Sequence, residues 1–203
     1  MIVIVNYGVG NLGSIQNMIK KAGVKAEISS DEKVIEQADK LILPGVGAFD
    51  NGMQHLIDSG MIPLLNKKVL EEKVPILGIC LGMQLMTNMS EEGKLKGLGW
   101  IDADVIKFKF EPGSKLKIPH MGWNLIYPKK EHYLFDDMYK EPRFYFVHGY
   151  YVKNNMTENI LAQTHFGSDF TSAIVKDNIT GTQFHPEKSH KFGLKLMQNF
   201  IYN

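Results

Sequence analysis

The chain has a single cysteine among its 203 residues. No disulfide can form within it, and no set of thiolates is available to hold zinc or an iron–sulfur cluster. It also lacks an excess of either charge: 23 lysines and arginines stand against 22 aspartates and glutamates, mixed along the sequence. Without a basic stripe there is no electrostatic footprint for nucleic acid, and without an acidic block there is no sign of a disordered arm. Long apolar runs are missing too. MIVIV at the start is too short to span a bilayer and has no basic lead, so neither a membrane helix nor a secretory signal is predicted. There is no internal repeat, linker or low-complexity segment. One free thiol suits a reducing compartment. These absences predict a cytoplasmic globular protein, one domain over residues 1–203, large enough for a substantial core.

What is present is organised around Val74–Gly82, VPILGICLG. Ile76–Ile79 is an apolar segment too short for a helix and is predicted to be a buried strand, with Leu81 and Met83–Met86 helical behind it. Gly-x-Cys-x-Gly between strand and helix has the logic of a nucleophile elbow. Its glycines permit a sharp turn that lifts the Cys80 thiol above the sheet, and a helix N-terminus favours the reactive thiolate. The competing reading is a small buried hydrophobe in a core strand, where most lone cysteines sit.

A nucleophilic cysteine needs a base, which can come from far along the chain. Of seven histidines, His55 falls on a predicted helix, His132 and His165 lie in polar surroundings, and His120, His148 and His190 are undecided. His185 in GTQFHPE closes a strand-like run and is held extended by Pro186. In extended chain, side chains two apart share a face, which brings Glu187 to His185. Cys80, His185 and Glu187 therefore make a plausible triad.

In chain order, the Ile2–Val5 strand leads into a glycine-rich turn, Asn6–Gly13, and an amphipathic helix through Ala22, with Glu27 near a second short strand. The turn is formally a Gly-x-Gly-x-x-Gly, so a dinucleotide-binding reading competes with a tight turn packing the helix on the sheet. Ser30 or Asp31 can cap a helix running to about Ala38. The Leu41–Leu43 strand precedes Pro44–Phe49, whose two early glycines let backbone N–H groups approach an oxyanion; an ordinary strand-to-helix turn is the alternative. Helices are predicted from Asp50 and over Ile62–Glu72. After Ser90 short strand-like pieces follow: Ala103–Phe110, Leu116–Ile118, Phe144–Val152, Ile160–Thr164, Thr171–Val175 and Gly181–Phe184, with a hairpin turn at Asp177-Asn178. A helix over about His190–Ile201 closes the chain. The pattern is α/β, with a mostly parallel central sheet flanked by helices and an added antiparallel β section.

GICLGMQ together with TQFHPEKS resembles the class I, triad-type glutamine amidotransferases, whose fold is flavodoxin-like. PGVGAFDNGM (Pro44–Met53), PHMGWN (Pro119–Asn124) and YFVHGYY (Tyr145–Tyr151) narrow the resemblance to the glutaminase subunits of imidazole glycerol phosphate synthases. It covers Ile2 to about Phe200, with the motifs in order. It implies that Cys80 attacks the glutamine amide, that His185 takes and returns the proton, and that Glu187 orients His185. It also implies an oxyanion hole from Gly47 and Leu81, with substrate contacts from Gln84, Gly149 and Tyr150, and has the Asn6–Gly13 loop border the catalytic cleft. The family commonly carries a hydroxyl residue where this chain has Gly149, which keeps the backbone contacts but removes a side-chain donor. No cofactor or metal is implied. Nothing in the chain accepts ammonia, so the resemblance implies a (β/α)8 cyclase partner and the histidine pathway, with Met121, Trp123, Asn124, Tyr145 and Lys188 at interface or gating positions. SHKFG after the HPEK, and the altered HGY, also suit a paralogue that feeds a sugar-amidating enzyme of surface glycan synthesis.

Overall fold

The computed structural model describes all residues, 1–203. Its elements in order are β1 (Ile2–Val5), α1 (Leu12–Lys21), β2 (Ala26–Ser29), α2 (Glu32–Glu36), β3 (Lys40–Leu43), α3 (Phe49–Asp58), α4 (Ile62–Asn66), β4 (Ile76–Ile79) and α5 (Leu81–Leu85). There follow β5 (Met89–Ser90), β6 (Ala103–Lys107), β7 (His120–Leu125), β8 (Tyr127–Pro128), β9 (Arg143–His148), β10 (Tyr150–Asn154), β11 (Ile160–Phe166), β12 (Ser168–Lys176), β13 (Ile179–Thr182) and α6 (His190–Tyr202). The main sheet runs β2-β1-β3-β4-β13-β12-β10-β6-β5. From β2 to β13 every neighbouring pair is parallel. From β13 through β12 and β10 to β6 the pairs are antiparallel.

Strand alternation divides the core. In β1, Ile2 and Ile4 pack into a cluster with Ile15, Met18 and Ile19 of α1 and Leu196, Met197 and Phe200 of α6. Val3 and Val5 point the other way, into a second cluster with Phe49, Met53 and Leu56 of α3 and Leu81, Met83 and Leu85 of α5. A sheet buried on both faces needs unbroken apolar strands, which is why β1 and β4 carry no alternating polar residue. Each fully buried Leu or Ile contributes about 1.5–3 kcal/mol. No helix is long and apolar enough to cross a membrane.

Several boundaries differ from the sequence reading. Leu116–Ile118 is not a strand; Leu116 and Ile118 are about 40% exposed there, and pairing begins only at His120, with β7. Phe144–Val152 is two strands. β9 pairs with β7 in a separate two-stranded ribbon, and at Gly149 the chain crosses to the main sheet as β10. Ala103–Phe110 stops pairing at Lys107, and the helix over Ile62–Glu72 is regular only to Asn66, continuing as a wider π-type turn over Lys67–Glu71. The two-residue strands β5 and β8 carry no hydrophobic period and are new. The Asp177-Asn178 hairpin forms as expected, with Lys176 opposite Ile179 and Asp177 at φ +51°.

Candidate active site

β4 ends at Ile79 and α5 begins at Leu81, so Cys80 alone makes the turn, at φ +53°, ψ −109°. The backbone strain thus falls on the cysteine rather than on its glycines. The glycines provide closeness: a Cβ on Gly82 would lie 1.9 Å from the Leu43 carbonyl oxygen. That contact seats the α5 N-terminus against β3 and the Pro44–Gly47 loop. The Cys80 amide donates to Thr182 O at 2.7 Å, tying the elbow to β13.

His185 follows β13. Its φ and ψ of −101° and 98° are extended, as expected ahead of proline. Pro186–Lys188, however, is a 3-10 turn, so Glu187 reaches His185 by folding back rather than by sharing a strand face. His185 Nδ1 lies 2.8 Å from Glu187 Oε1, and both side chains are 2% exposed. Nε2 is buried and has no partner other than the Cys80 sulfur beside it. Burial pulls the His185 pKa down, but hydrogen bonds to Cys80 and Glu187 outweigh it and push it up to about 10. His185 therefore stands as an imidazolium at neutral pH, already holding the proton that the leaving group of an acyl transfer requires.

A cleft of about 270 Å³ opens over Cys80 and His185. The expected Gly47, Leu81, Gln84, Gly149, Tyr150 and Lys188 all line it. Gly47 has φ +95°, and the backbone amides of Gly47 and Leu81 make no hydrogen bond inside the protein. Gln84 Nε2 donates to Tyr150 O (3.2 Å) and Gln183 Oε1 (3.0 Å). Gln183 Nε2 in turn approaches Cys80 Sγ at 3.8 Å. Met121, Trp123, Asn124 and Tyr145 are not in the cleft but on the β7–β9 ribbon, with Met121 and Trp123 well exposed. Lys188 belongs to both places, since its Nζ lies 5.8 Å from the Tyr145 ring centroid. The ribbon is fastened to the triad through backbone, with His185 N donating to Tyr145 O at 2.9 Å.

Sequence reasoning missed Glu92, Val147 and His148 in the cleft wall. Glu92 Oε2 accepts from the Phe49 amide at 2.9 Å, closing the far end of the Pro44–Phe49 loop; no local signal separates it from Glu91. The first glycine-rich turn, expected from the resemblance to border the cleft, does not line it. A Cβ on Gly8 would meet His55 and one on Gly10 would meet Pro44, so the turn is packed rather than open to a phosphate. Its link to the site is Tyr7, whose hydroxyl donates to Pro44 O at 2.5 Å. Burial, with the Cys80 charge nearby, raises the Tyr7 pKa and keeps it a donor.

The glutamine amidotransferase class-I family model matches residues 3–203. A relative named imidazole glycerol phosphate synthase subunit HisH 2, from Methanococcus maripaludis, is 58% identical over 99% of this chain and 98% of its own. Another of the same name, from Pseudomonas aeruginosa, is 49% identical over the same shares. Among solved structures, a chain of PurLQS from Thermotoga maritima superposes with a TM-score of 0.72 at 17% identity, covering 99% of this chain and 97% of that one. That likeness concerns the fold alone. A strained cysteine between strand and helix, a buried His–Glu pair against it, and a match spanning nearly every residue have one meaning: this chain belongs to the class I glutamine amidotransferases.

Proposed function

We propose that this chain is the glutaminase subunit of an imidazole glycerol phosphate synthase, acting in the cytoplasm with a separate HisF-type (β/α)8 cyclase. The observation that carries the reading is the Cys80–His185–Glu187 constellation at the floor of a cleft that also holds Gln84. Cys80 sulfur attacks the side-chain amide carbon of glutamine. The tetrahedral oxyanion is held by the amides of Gly47 and Leu81, each such donor being worth on the order of 3 kcal/mol of barrier. The C–N bond breaks as the His185 imidazolium gives its proton to the departing nitrogen, so ammonia leaves and a thioester remains. Neutral His185 then takes a proton from water, the oxygen adds to the thioester, and glutamate departs with the sulfur restored. Glu187 fixes the His185 ring and its charge throughout. The Glu92 carboxylate suits the substrate's α-ammonium, and the backbone of Gly149 and Tyr150, with Lys188, suits its carboxylate.

No group in the chain consumes ammonia, and exposed Met121 and Trp123 beside Lys188 offer a docking face next to the triad. A second reading keeps the glutaminase and changes the client to a sugar-amidating enzyme of surface glycan synthesis. It rests on the SHKFG segment after the HPEK, whose His190 stacks on Trp123 at 5.5 Å within that face. Co-purification with the native partner separates the two.

The test of the chemistry is Cys80→Ala. Glutamine-dependent product formation by the complex should vanish while ammonium-dependent formation persists. A glutamine-like electrophile should label the wild-type chain once, at Cys80. Glutaminase activity surviving in the variant, or an adduct elsewhere, overturns the assignment.

A further inference from the structure

The β7–β9 ribbon meets the cleft a second time, through a row of buried side chains whose hydrogen bonds have a readable direction. The Tyr150 carbonyl can only accept, so His148 Nδ1, 2.7 Å away, carries a proton. Burial holds the His148 pKa down at about 3, and the neutral ring leaves Nε2 as a lone pair. His120 Nδ1, 3.0 Å from that nitrogen, must then donate to it. Burial also lowers the His120 pKa, to about 4, so its Nε2 is free to accept from Asn124 Nδ2 at 3.2 Å. The second Asn124 amide hydrogen goes to His165 O at 2.9 Å. Beyond Tyr150, its carbonyl also receives Gln84 Nε2, which continues to Gln183 and so to the Cys80 sulfur.

The chain has one polarity. Reversing it would set the lone pair of His148 against the Tyr150 carbonyl and an N–H of His120 against the Asn124 amide. Both rings are locked in place: His120 lies stacked between Phe146 and Phe166, at centroid distances of 4.7 and 4.1 Å, and both histidines are at most 6% exposed.

We propose that His120 and His148 are positioning residues, an uncharged one-way hydrogen-bond chain through which the place of Asn124 on the docking ribbon sets the Tyr150 carbonyl and with it the Gln84 amide in the substrate cleft. The proposal rests on the glutaminase reading above. Movement of β7 on docking would pass to Gln84 through rigid rings, in parallel with the backbone link from Tyr145 to His185. A buried donor or acceptor that loses its partner weakens the whole row, because each member orients the next.

Two substitutions at His120 separate this role from packing. His120→Phe preserves the stack and deletes both hydrogen bonds. His120→Asn keeps a donor near the Nδ1 position but leaves a gap between Phe146 and Phe166. In the complex with its native partner, His120→Phe is expected to raise the glutamine KM about tenfold with kcat changed less than threefold. His120→Asn is expected to hold KM within about threefold while lowering Tm. The opposite order, with phenylalanine harmless and asparagine harmful to KM, would mean that the ring only packs, and would overturn the proposal. Nitrogen-15 NMR of histidine-labelled chain at neutral pH should find both rings neutral with the proton on Nδ1. A cationic ring, or a proton on Nε2 in either, overturns it equally. That measurement needs no activity, so a wild-type complex without glutaminase activity would sink the functional reading and leave the chain itself still decided.

Discussion

Glu187→Gln removes a charge and leaves the atoms almost in place, so its effect isolates the electrostatics of the triad. The glutamine amide oxygen can still accept from His185 Nδ1, now 2.8 Å from Glu187 Oε1. What disappears is the attraction between a carboxylate and an imidazolium whose charge centres lie about 4 Å apart, at most about 4 kcal/mol at an effective dielectric of 20. A second figure comes from the pKa. His185 rises from 6.5 to about 10, burial notwithstanding, a preference for the imidazolium of about 5 kcal/mol that Cys80 and Glu187 share. Glu187 therefore accounts for roughly 2–3 kcal/mol, and its loss should lower the His185 pKa by about two units. Ring-proton NMR of the isolated chain reads that shift directly, and kcat/KM in the complex should fall roughly a hundredfold, with its alkaline limb moving down by the same two units. The sign for stability follows. A raised pKa means that the imidazolium's contribution is whole below pH 6.5 and fades as the pH climbs toward 10, so the wild type's Tm should fall across that window and the variant's should fall at lower pH. A titration curve that superposes on the wild type, or a variant more damaged than His185→Asn, would refute the assignment of Glu187 as orienter and charge stabiliser.

Gly82→Ala would force a Cβ to 1.9 Å from the Leu43 oxygen, where backbone meets backbone; a loss of about 3 kcal/mol or more is expected, and a Tm within about 2 °C of wild type would contradict the packing account. Gly47→Pro demands a negative φ where the loop has +95°, so partner-stimulated glutaminase activity should be lost while the alkylation of Cys80 by a small electrophile persists. Gly149→Ser meets only the tip of Ile118, 3.3 Å from the new Cβ, and restores a hydroxyl beside the cleft; the glutamine KM should fall about threefold, the effect of a weak added hydrogen bond.

The parallel half of the fold was legible because both of its faces are covered. Ile2–Val5, Leu41–Leu43 and Ile76–Ile79 are uniformly apolar and end at Asn6, Pro44 and the Cys80 elbow, which is how doubly buried strands are written. The antiparallel half was less so. β7 has burial that alternates weakly and never completes, because its ribbon is covered on one side only in part, and GWN within it looks like a turn. Phe144–Val152 presents one continuous apolar pattern, yet its hydrogen-bond partner changes at Gly149 from β7 to β6. Hydrophobic period records which face is buried and is blind to which strand lies alongside.

The site shows the same division between what is local and what is not. Cys80 is legible from five residues because strain at an elbow has to be accommodated by its immediate neighbours. A non-glycine residue at φ +53° costs on the order of 1–3 kcal/mol, and it persists here because Gly82 admits the Leu43 carbonyl and the Thr182 oxygen grips the Cys80 amide. Glu187 was found for a reason that the 3-10 turn replaces: adjacency along the chain sufficed, whereas the assumed strand geometry did not. Glu92 and His148 meet groups 43 residues upstream and on the facing strand of the ribbon, and nothing in their own surroundings in sequence distinguishes them. An elbow cysteine can thus be read from the chain that strains it, but the walls of the cleft above it are composed only when distant segments meet.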